Sequence, residues 1–497
     1  MKKWHVFLSF VVGLTLISSI PVSAAEADKT SNIQSFEPTS LVKNDGTYWV
    51  WGGNQSVPTQ LHGMTDVETS FSNNLVMKKD GSIWYLERNQ SLSNTQIQKV
   101  NGLSNISTIY YSYWSELLAL DTNGKVYAAV HSADNLDPTQ FVQLTGIDNV
   151  TSISSYYEHT QRGGEWRSIF LKNDGTVWKD RNTLQSFEPM TSLNDITAID
   201  KNFALKKDGT VWTWQSEFSA DITSVDTTPT IISELRNIKA IKSNGNSTLA
   251  IDDQSRLWFW GATITGSSDG TEYHIGKIPV LLNNITDVKD AFVVERSLIV
   301  LTKSGNVYET SIERTSLPGN ANFTLLTSNV NLFKQGDRSI IMQKSDGTLW
   351  GWGVNKEGQL GYGDYEFMHS TPVPVQKPIS VHLNGESVAL NNGVIIRNSQ
   401  AFIPLRSVFE KLGATITFEE MSKVVTIKRS DVGTPSLVIT INYKSGELTL
   451  NNKTVKLQNA PFGVNGTSYL PLRFISETLG AKVDWIQKED KITITMK

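Results

Sequence analysis

Cysteine is absent from all 497 residues. No disulfide can staple the fold, no thiol can act as a nucleophile, and no cysteine-ligated metal site is available. Histidine is nearly as scarce, with seven scattered at positions 5, 62, 131, 159, 274, 369 and 382 and none at metal-ligand spacing. The chain has no Gly-x-Ser-x-Gly elbow, His-Glu-x-x-His helix, phosphate-cradling glycine loop or Cys-x-x-Cys pair. A dominant charge is missing too. Lys and Arg number 45 against 49 Asp and Glu, a net charge of −4 that gives nucleic acid nothing to bind. We therefore expect no enzyme activity, no cofactor, no metal and no nucleic-acid partner.

Long apolar runs are lacking except at the start. Lys2 and Lys3 precede the run Val6 to Ile20, and Ser23-Ala24-Ala25 supplies the small residues of a cleavage site. Residues 1–25 read as a secretory signal peptide. The expected product is secreted or extracellular, with association to the cell envelope as the further expectation, and has no stable membrane span after cleavage. What remains is globular in composition, 39% hydrophobic and 19% charged, and its 14 Trp against 8 Met favour strands over amphipathic helices. A chain this long is expected to form more than one core.

What the sequence does contain is a repeat. Leu41-Val-Lys-Asn-Asp-Gly-Thr-Tyr-Trp49 returns as Met77-Lys-Lys-Asp-Gly-Ser-Ile-Trp84, Leu120-Asp-Thr-Asn-Gly-Lys-Val-Tyr127, Leu171-Lys-Asn-Asp-Gly-Thr-Val-Trp178 and Leu205-Lys-Lys-Asp-Gly-Thr-Val-Trp212. It returns again ending at Trp258, where Ser255 replaces the glycine, at Tyr308 and at Trp350. Asp-Gly or Asn-Gly between apolar residues is a hairpin signal, because the tight turn needs positive φ. Most hairpins follow an earlier strand that opens on Asn or Asp plus Ile or Val, such as Asn149-Val and Asp195-Ile. The period suits a small antiparallel sheet, and no 3.6-residue apolar pattern supports a helical solenoid.

The last copy, Trp350-Gly-Trp-Gly-Val-Asn-Lys-Glu-Gly-Gln-Leu-Gly-Tyr-Gly363 followed by Thr371-Pro-Val-Pro-Val375, resembles the repeat of the regulator-of-chromosome-condensation family. The resemblance implies a β-propeller over residues 30–376, commonly seven-bladed, while the eight hairpins leave seven or eight open.

The tail is a second duplication. Ala401-Phe-Ile-Pro-Leu-Arg406 through Phe418 returns as Ser468-Tyr-Leu-Pro-Leu-Arg473 through Trp485. Each copy places Pro at the start of a short helix and Gly past its end. This gives an α+β module of two strand-helix-strand repeats over residues 379–497. Arg406 with Glu410 and Arg473 with Glu477 are spaced to pair along the helices. The module resembles the copper amine oxidase N-terminal-like domain, which implies an attachment or stalk role, and its single imidazole, His382, argues against copper.

Binding residues are sought where blades carry extra length. Two segments stand out, Tyr110-Tyr-Ser-Tyr-Trp114 and Tyr156 to Arg167, the second read as a surface insertion that interrupts strand alternation. The candidates are Tyr111, Tyr113, Trp114, Tyr156, Tyr157, His159, Arg162, Trp166 and Arg167, with Arg296 and Arg338 at related positions of other blades. Tyr, Trp and Arg are the residues most common at interface hot spots. The sequence reading is an exported, non-catalytic binding protein whose propeller takes an extracellular protein or glycan while the tail attaches or spaces it. Two alternatives stay open: a polysaccharide or cell-wall hydrolase with carboxylates on the propeller face, and a structural envelope or matrix component.

Overall fold

The computed structural model describes residues 32–496 except 72–73, 89–91, 112–115, 133–134, 161–162, 182, 215–227, 267–269, 431–435, 473 and 475–480. The chain divides into two compact units. One comprises Leu75–Tyr85 and Gln98–Val330, and the other includes Asp28–Asn74, Leu86–Ile97 and Asn331–Lys497.

Among the described residues, eight four-stranded sheets of consecutive strands follow one another, over residues 33–60, 67–99, 106–143, 150–189, 196–231, 238–282, 288–327 and 330–374. This is a β-propeller fold, and eight such sheets are described. All eight expected hairpins form the second and third strands of a sheet, with registers such as Leu41↔Trp49, Phe170↔Trp178, Ala204↔Trp212 and Met342↔Trp350.

The repeat's residues explain one another. Asp45 Oδ1 accepts hydrogen bonds from the Thr47 amide at 2.9 Å and its hydroxyl at 2.6 Å, and Trp49 Nε1 donates to that hydroxyl oxygen at 2.9 Å. The same chain runs through Asp80, Ser82 and Trp84, through Asp174, Thr176 and Trp178, through Asp208, Thr210 and Trp212, and through Asp346, Thr348 and Trp350. A lysine covers each indole, from Lys344 at 4.0 Å to Lys43 at 5.7 Å from the ring centroid.

The turn glycine also clasps the next sheet. Its carbonyl accepts the first amide of the following strand: Val67 to Gly46, Val150 to Gly124, Ile196 to Gly175 and Ile238 to Gly209, each at 3.0 Å. The residue before that amide is left-handed, as at Asn149 (φ 56°) and Asn237 (φ 55°), which is why Asn or Asp opens each repeat. A Cβ at Gly209 would lie 2.8 Å from the Asn237 Cα, and the glycine φ is +82°. In the degenerate copy Ser255 carries the strain at φ 59°. Gly209→Ala is therefore expected to lower stability by about 2 kcal/mol and Ser255→Gly to raise it by up to about 1 kcal/mol. Opposite shifts in the urea midpoint check this, and equal shifts would refute the clasp.

Within the first unit, the leading strands of sheets four, five and six lie side by side. Polar links stitch successive leading strands: Tyr110 Oη with Ser155 Oγ at 2.9 Å, the Lys201 amide to Ser154 Oγ at 2.9 Å, the Ser243 amide to Asp200 Oδ2 at 2.8 Å, and an ion pair between Lys242 and Asp290. Within the second unit, the first and eighth sheets share a core of Phe36, Leu41, Trp49 and Trp51 with Ile341, Leu349 and Leu360.

The C-terminal module is α+β. Its two sequence copies pair with each other, Gln400–Pro404 running antiparallel to Thr467–Pro471 with Ile403 opposite Leu470. Leu405–Lys411 is the helix of the first copy, with Pro404 ahead of it and Gly413 beyond it at φ 76°. Val408 and Phe409 bury the helix against Ile427, Ile439 and Ile492. Arg406 and Glu410 do not pair as expected. Both project into solvent, and Lys411 instead meets Glu386 at 3.0 Å. Arg473 and Glu477, expected to pair on the second helix, lie outside the described residues.

The module packs directly on the first sheet. Val57 joins Ile395, Phe402 and Tyr469 in one cluster, Asn392 Nδ2 donates to Ser56 Oγ at 3.0 Å, and Lys43 Nζ donates to the Glu489 carbonyl at 2.8 Å. A Cβ at Gly393 would fall 2.1 Å from the Pro58 carbonyl oxygen.

Candidate functional site

The segment 156–167 is not an irregular insertion. It belongs to a hairpin of Val150–Thr160 and Gly163–Lys172, in register from Ser152↔Leu171 to Thr160↔Gly163. Strand alternation continues through it, and the reason it is hidden in the sequence is that a charge occupies an inward position. Glu158 is 6% exposed.

An ion cluster compensates that burial. Glu158 Oε2 accepts from Arg167 Nε at 2.8 Å, and its Oε1 accepts from Lys179 Nζ at 2.9 Å and from the Tyr156 hydroxyl at 2.8 Å. Burial pushes the Glu158 carboxyl up, but Lys179 and Arg167 outweigh it and hold the group below the ordinary range. Arg167 also reaches Glu165 at 2.6 Å, and Lys179 reaches Glu188 at 3.4 Å.

A second polar group lies on the opposite face of the same strands. The Ser168 amide donates to Asp180 Oδ1 at 2.6 Å, and the Ser168 hydroxyl donates to Glu116 Oε2 at 2.8 Å. Burial raises both carboxyls, with the Ser168 hydrogen bonds opposing it. Sequence reasoning missed both groups: Glu158 and Lys179 meet only through the register of the fourth sheet, and Glu116 reaches Ser168 from the third.

The predicted residues divide as follows. Tyr156 is a core residue, 2% exposed and edge-on to Trp214 at 5.6 Å. Arg167 is committed to Glu158. Tyr157 and Trp166 meet edge to face at 5.5 Å and are half-buried. Tyr111 ends its strand 51% exposed beside Tyr85. Arg296 braces a neighbouring hairpin, donating to the Gly266 carbonyl at 2.8 Å and to Glu313 at 2.7 Å. Arg338 belongs to the other unit, where its carbonyl accepts the Val354 amide at 3.0 Å. Tyr113, Trp114, Arg162 and the side chain of His159 lie outside the described residues.

One further cluster could hold a cation by donor type. Asp364, Glu366 and His369 bring their donor atoms within 4.8 Å of one another. Asp364 Oδ1 is already engaged, accepting from Asn355 Nδ2 at 2.6 Å and lying 3.1 Å from His369 Nε2, so the trio reads as the lock of its own loop.

The described residues define a β-propeller fold with a C-terminal α+β module. Residues 346–388 match the regulator of chromosome condensation (RCC1) repeat, and residues 382–494 match the copper amine oxidase N-terminal domain. The chain thus carries an RCC1 repeat followed by that domain. No curated protein matches it in sequence. Among solved structures it is similar to human WBSCR16, at 15% identity over 57% of this chain and 84% of that one, TM-score 0.41. Yeast RCC1 (Prp20), solved with Kap60, matches at 14% identity over 76% and 91%, TM-score 0.39. The designed protein Ika8 matches at 16% over 65% and 97%, TM-score 0.38. The donor set of residues 382–494, with His382 as its one imidazole and no thiol, does not fit copper.

Proposed function

We propose that the chain is an exported, non-catalytic binding protein that captures a protein or glycan outside the cell through the 150–172 hairpin, with the C-terminal module attaching the propeller at the envelope. The observation that carries this reading is the hairpin itself. Ten and eleven residues long, its strands are held by buried ions beneath a pair of half-buried aromatics. Rigid support beneath aromatic side chains lowers the ordering cost of binding.

The test is capture from envelope extracts by the chain lacking residues 1–25, beside a form whose residues 156–167 are replaced by a short Gly/Ser loop. Loss of capture by the second form supports the reading. Equal capture by both removes the hairpin from it.

A further inference from the structure

Sheet edges are where chains can pair with one another, because alternate N–H and C=O groups of an edge strand point away from its one neighbour. Most of the propeller sheets guard their outer edge. Pro58, Pro138, Pro189, Pro279 and Pro372 stand in the outer strands of the first, third, fourth, sixth and eighth sheets, and the outer strand of the fifth is two residues long. Proline has no amide hydrogen to offer a further strand.

One edge of the C-terminal module carries no such guard. Lys482–Ile486 ends its sheet, pairing with Lys491–Thr495 on one side, and no described strand lies on the other. It contains no proline, and Lys482, Asp484 and Trp485 are all exposed. A row of lysines would repel a second strand, but Asp484 follows Lys482 on the same face. The two meet at 2.8 Å within one chain, an exposed pair that is worth little by itself.

The strand is complementary to itself. When two copies meet edge to edge about a twofold axis, opposed residues lie on the same face, so the register must centre on a residue. Centred on Val483, Lys482 of each copy faces Asp484 of the other, Val483 faces its counterpart, and the exposed Trp485 comes opposite Ala481, whose small side chain leaves the indole room. Centred on Lys482 or on Asp484, like charges face each other. Within the strand, only the Val483 register sets opposite charges together. The equivalent strand of the first copy, Thr415–Glu419, is also an edge, but Glu419 is its one charged residue and has no complement there.

We propose that Lys482–Ile486 is the surface through which two copies of this chain pair antiparallel, joining their module sheets across an isologous interface with two Lys482–Asp484 ion pairs. The pairing is independent of what the propeller captures. Under the binding reading above it makes capture bivalent, a gain in avidity toward repeating partners.

Sedimentation of the chain lacking residues 1–25, over a hundredfold range of concentration, is expected to show monomer passing into dimer, and less dimer at high salt. Lys482→Glu and Asp484→Lys each turn both interchain attractions into repulsions, and each should weaken dimerisation at least about tenfold. Near-UV circular dichroism checks that both variants are folded. An equimolar mixture of the two should recover the dimer, because the acid introduced at 482 meets the base introduced at 484 while the native Asp484 and Lys482 meet each other. A folding defect in either variant would not be repaired in this way. Thr417→Arg, on the other edge, should leave the dimer intact. A chain that stays monomeric, charge variants that dimerise like the wild type, a mixture that recovers nothing, or a dimer lost in Thr417→Arg each overturns the proposal.

Discussion

Replacing Glu158 with glutamine is expected to cost about 3 kcal/mol, the lower end for removing one partner of a buried ion pair. Arg167 and Lys179 are only 16% and 17% exposed, so the variant leaves two cations poorly hydrated and without their shared carboxylate. The loss should be local. Amide hydrogen exchange over residues 155–168 should rise sharply in Glu158→Gln, and exchange in the C-terminal module should not change. The pH dependence has a definite sign. The folded-state pKa of Glu158 is depressed, so its contribution is present above the ordinary carboxylate range and is lost as pH falls through the folded value. Acid should therefore loosen the wild-type hairpin, and the variant should lack that response. Unchanged exchange in the variant at neutral pH would show that the cluster does not hold the hairpin.

Asp200→Asn should do the reverse and stabilise the protein. Asp200 ends the leading strand of the fifth sheet and is 5% exposed. Burial raises its pKa from 3.8 to about 6, against the opposing Ser243 amide, Lys201 and Lys242. A raised folded pKa means that the folded state binds more protons between about pH 4 and pH 6. Stability from this group is full below about pH 4 and is lost as pH rises through the folded pKa. A shift of about two units corresponds to roughly 3 kcal/mol lost above that window. Asparagine keeps an acceptor for the Ser243 amide and carries no charge. The gain of Asp200→Asn over wild type should thus grow from nothing below pH 4 to about 2–3 kcal/mol at pH 7. Denaturant melts at pH 4 and pH 7 measure it, and a pH-independent difference would refute the account.

Much of the fold is legible in the sequence because each repeat writes its own geometry. Asp-Gly specifies the turn, Thr or Ser links the aspartate to the indole, and Asn or Asp before Ile or Val marks the left-handed residue that the clasp requires. The outer strands are harder to read. Glu272–Leu282, the fourth strand of the sixth sheet, is exposed along most of its first seven residues and so carries little apolar alternation. The site is harder still. Tyr-Tyr-Glu-His-Thr looks like an exposed insertion because periodicity treats Glu158 as an outward residue, and nothing local announces that Arg167 and Lys179 converge on it. The expected Arg406–Glu410 pair shows the opposite error, where correct helical spacing was taken for contact although both side chains remain in solvent.

The junction between the C-terminal module and the first sheet has a mechanical consequence. Gly393 lies against Pro58, Lys43 reaches Glu489, and Val57 is buried among module side chains. Tension applied through the module enters the first sheet across several separate contacts. That sheet shares its core with the eighth, so a pull on the tail is carried into two sheets at once.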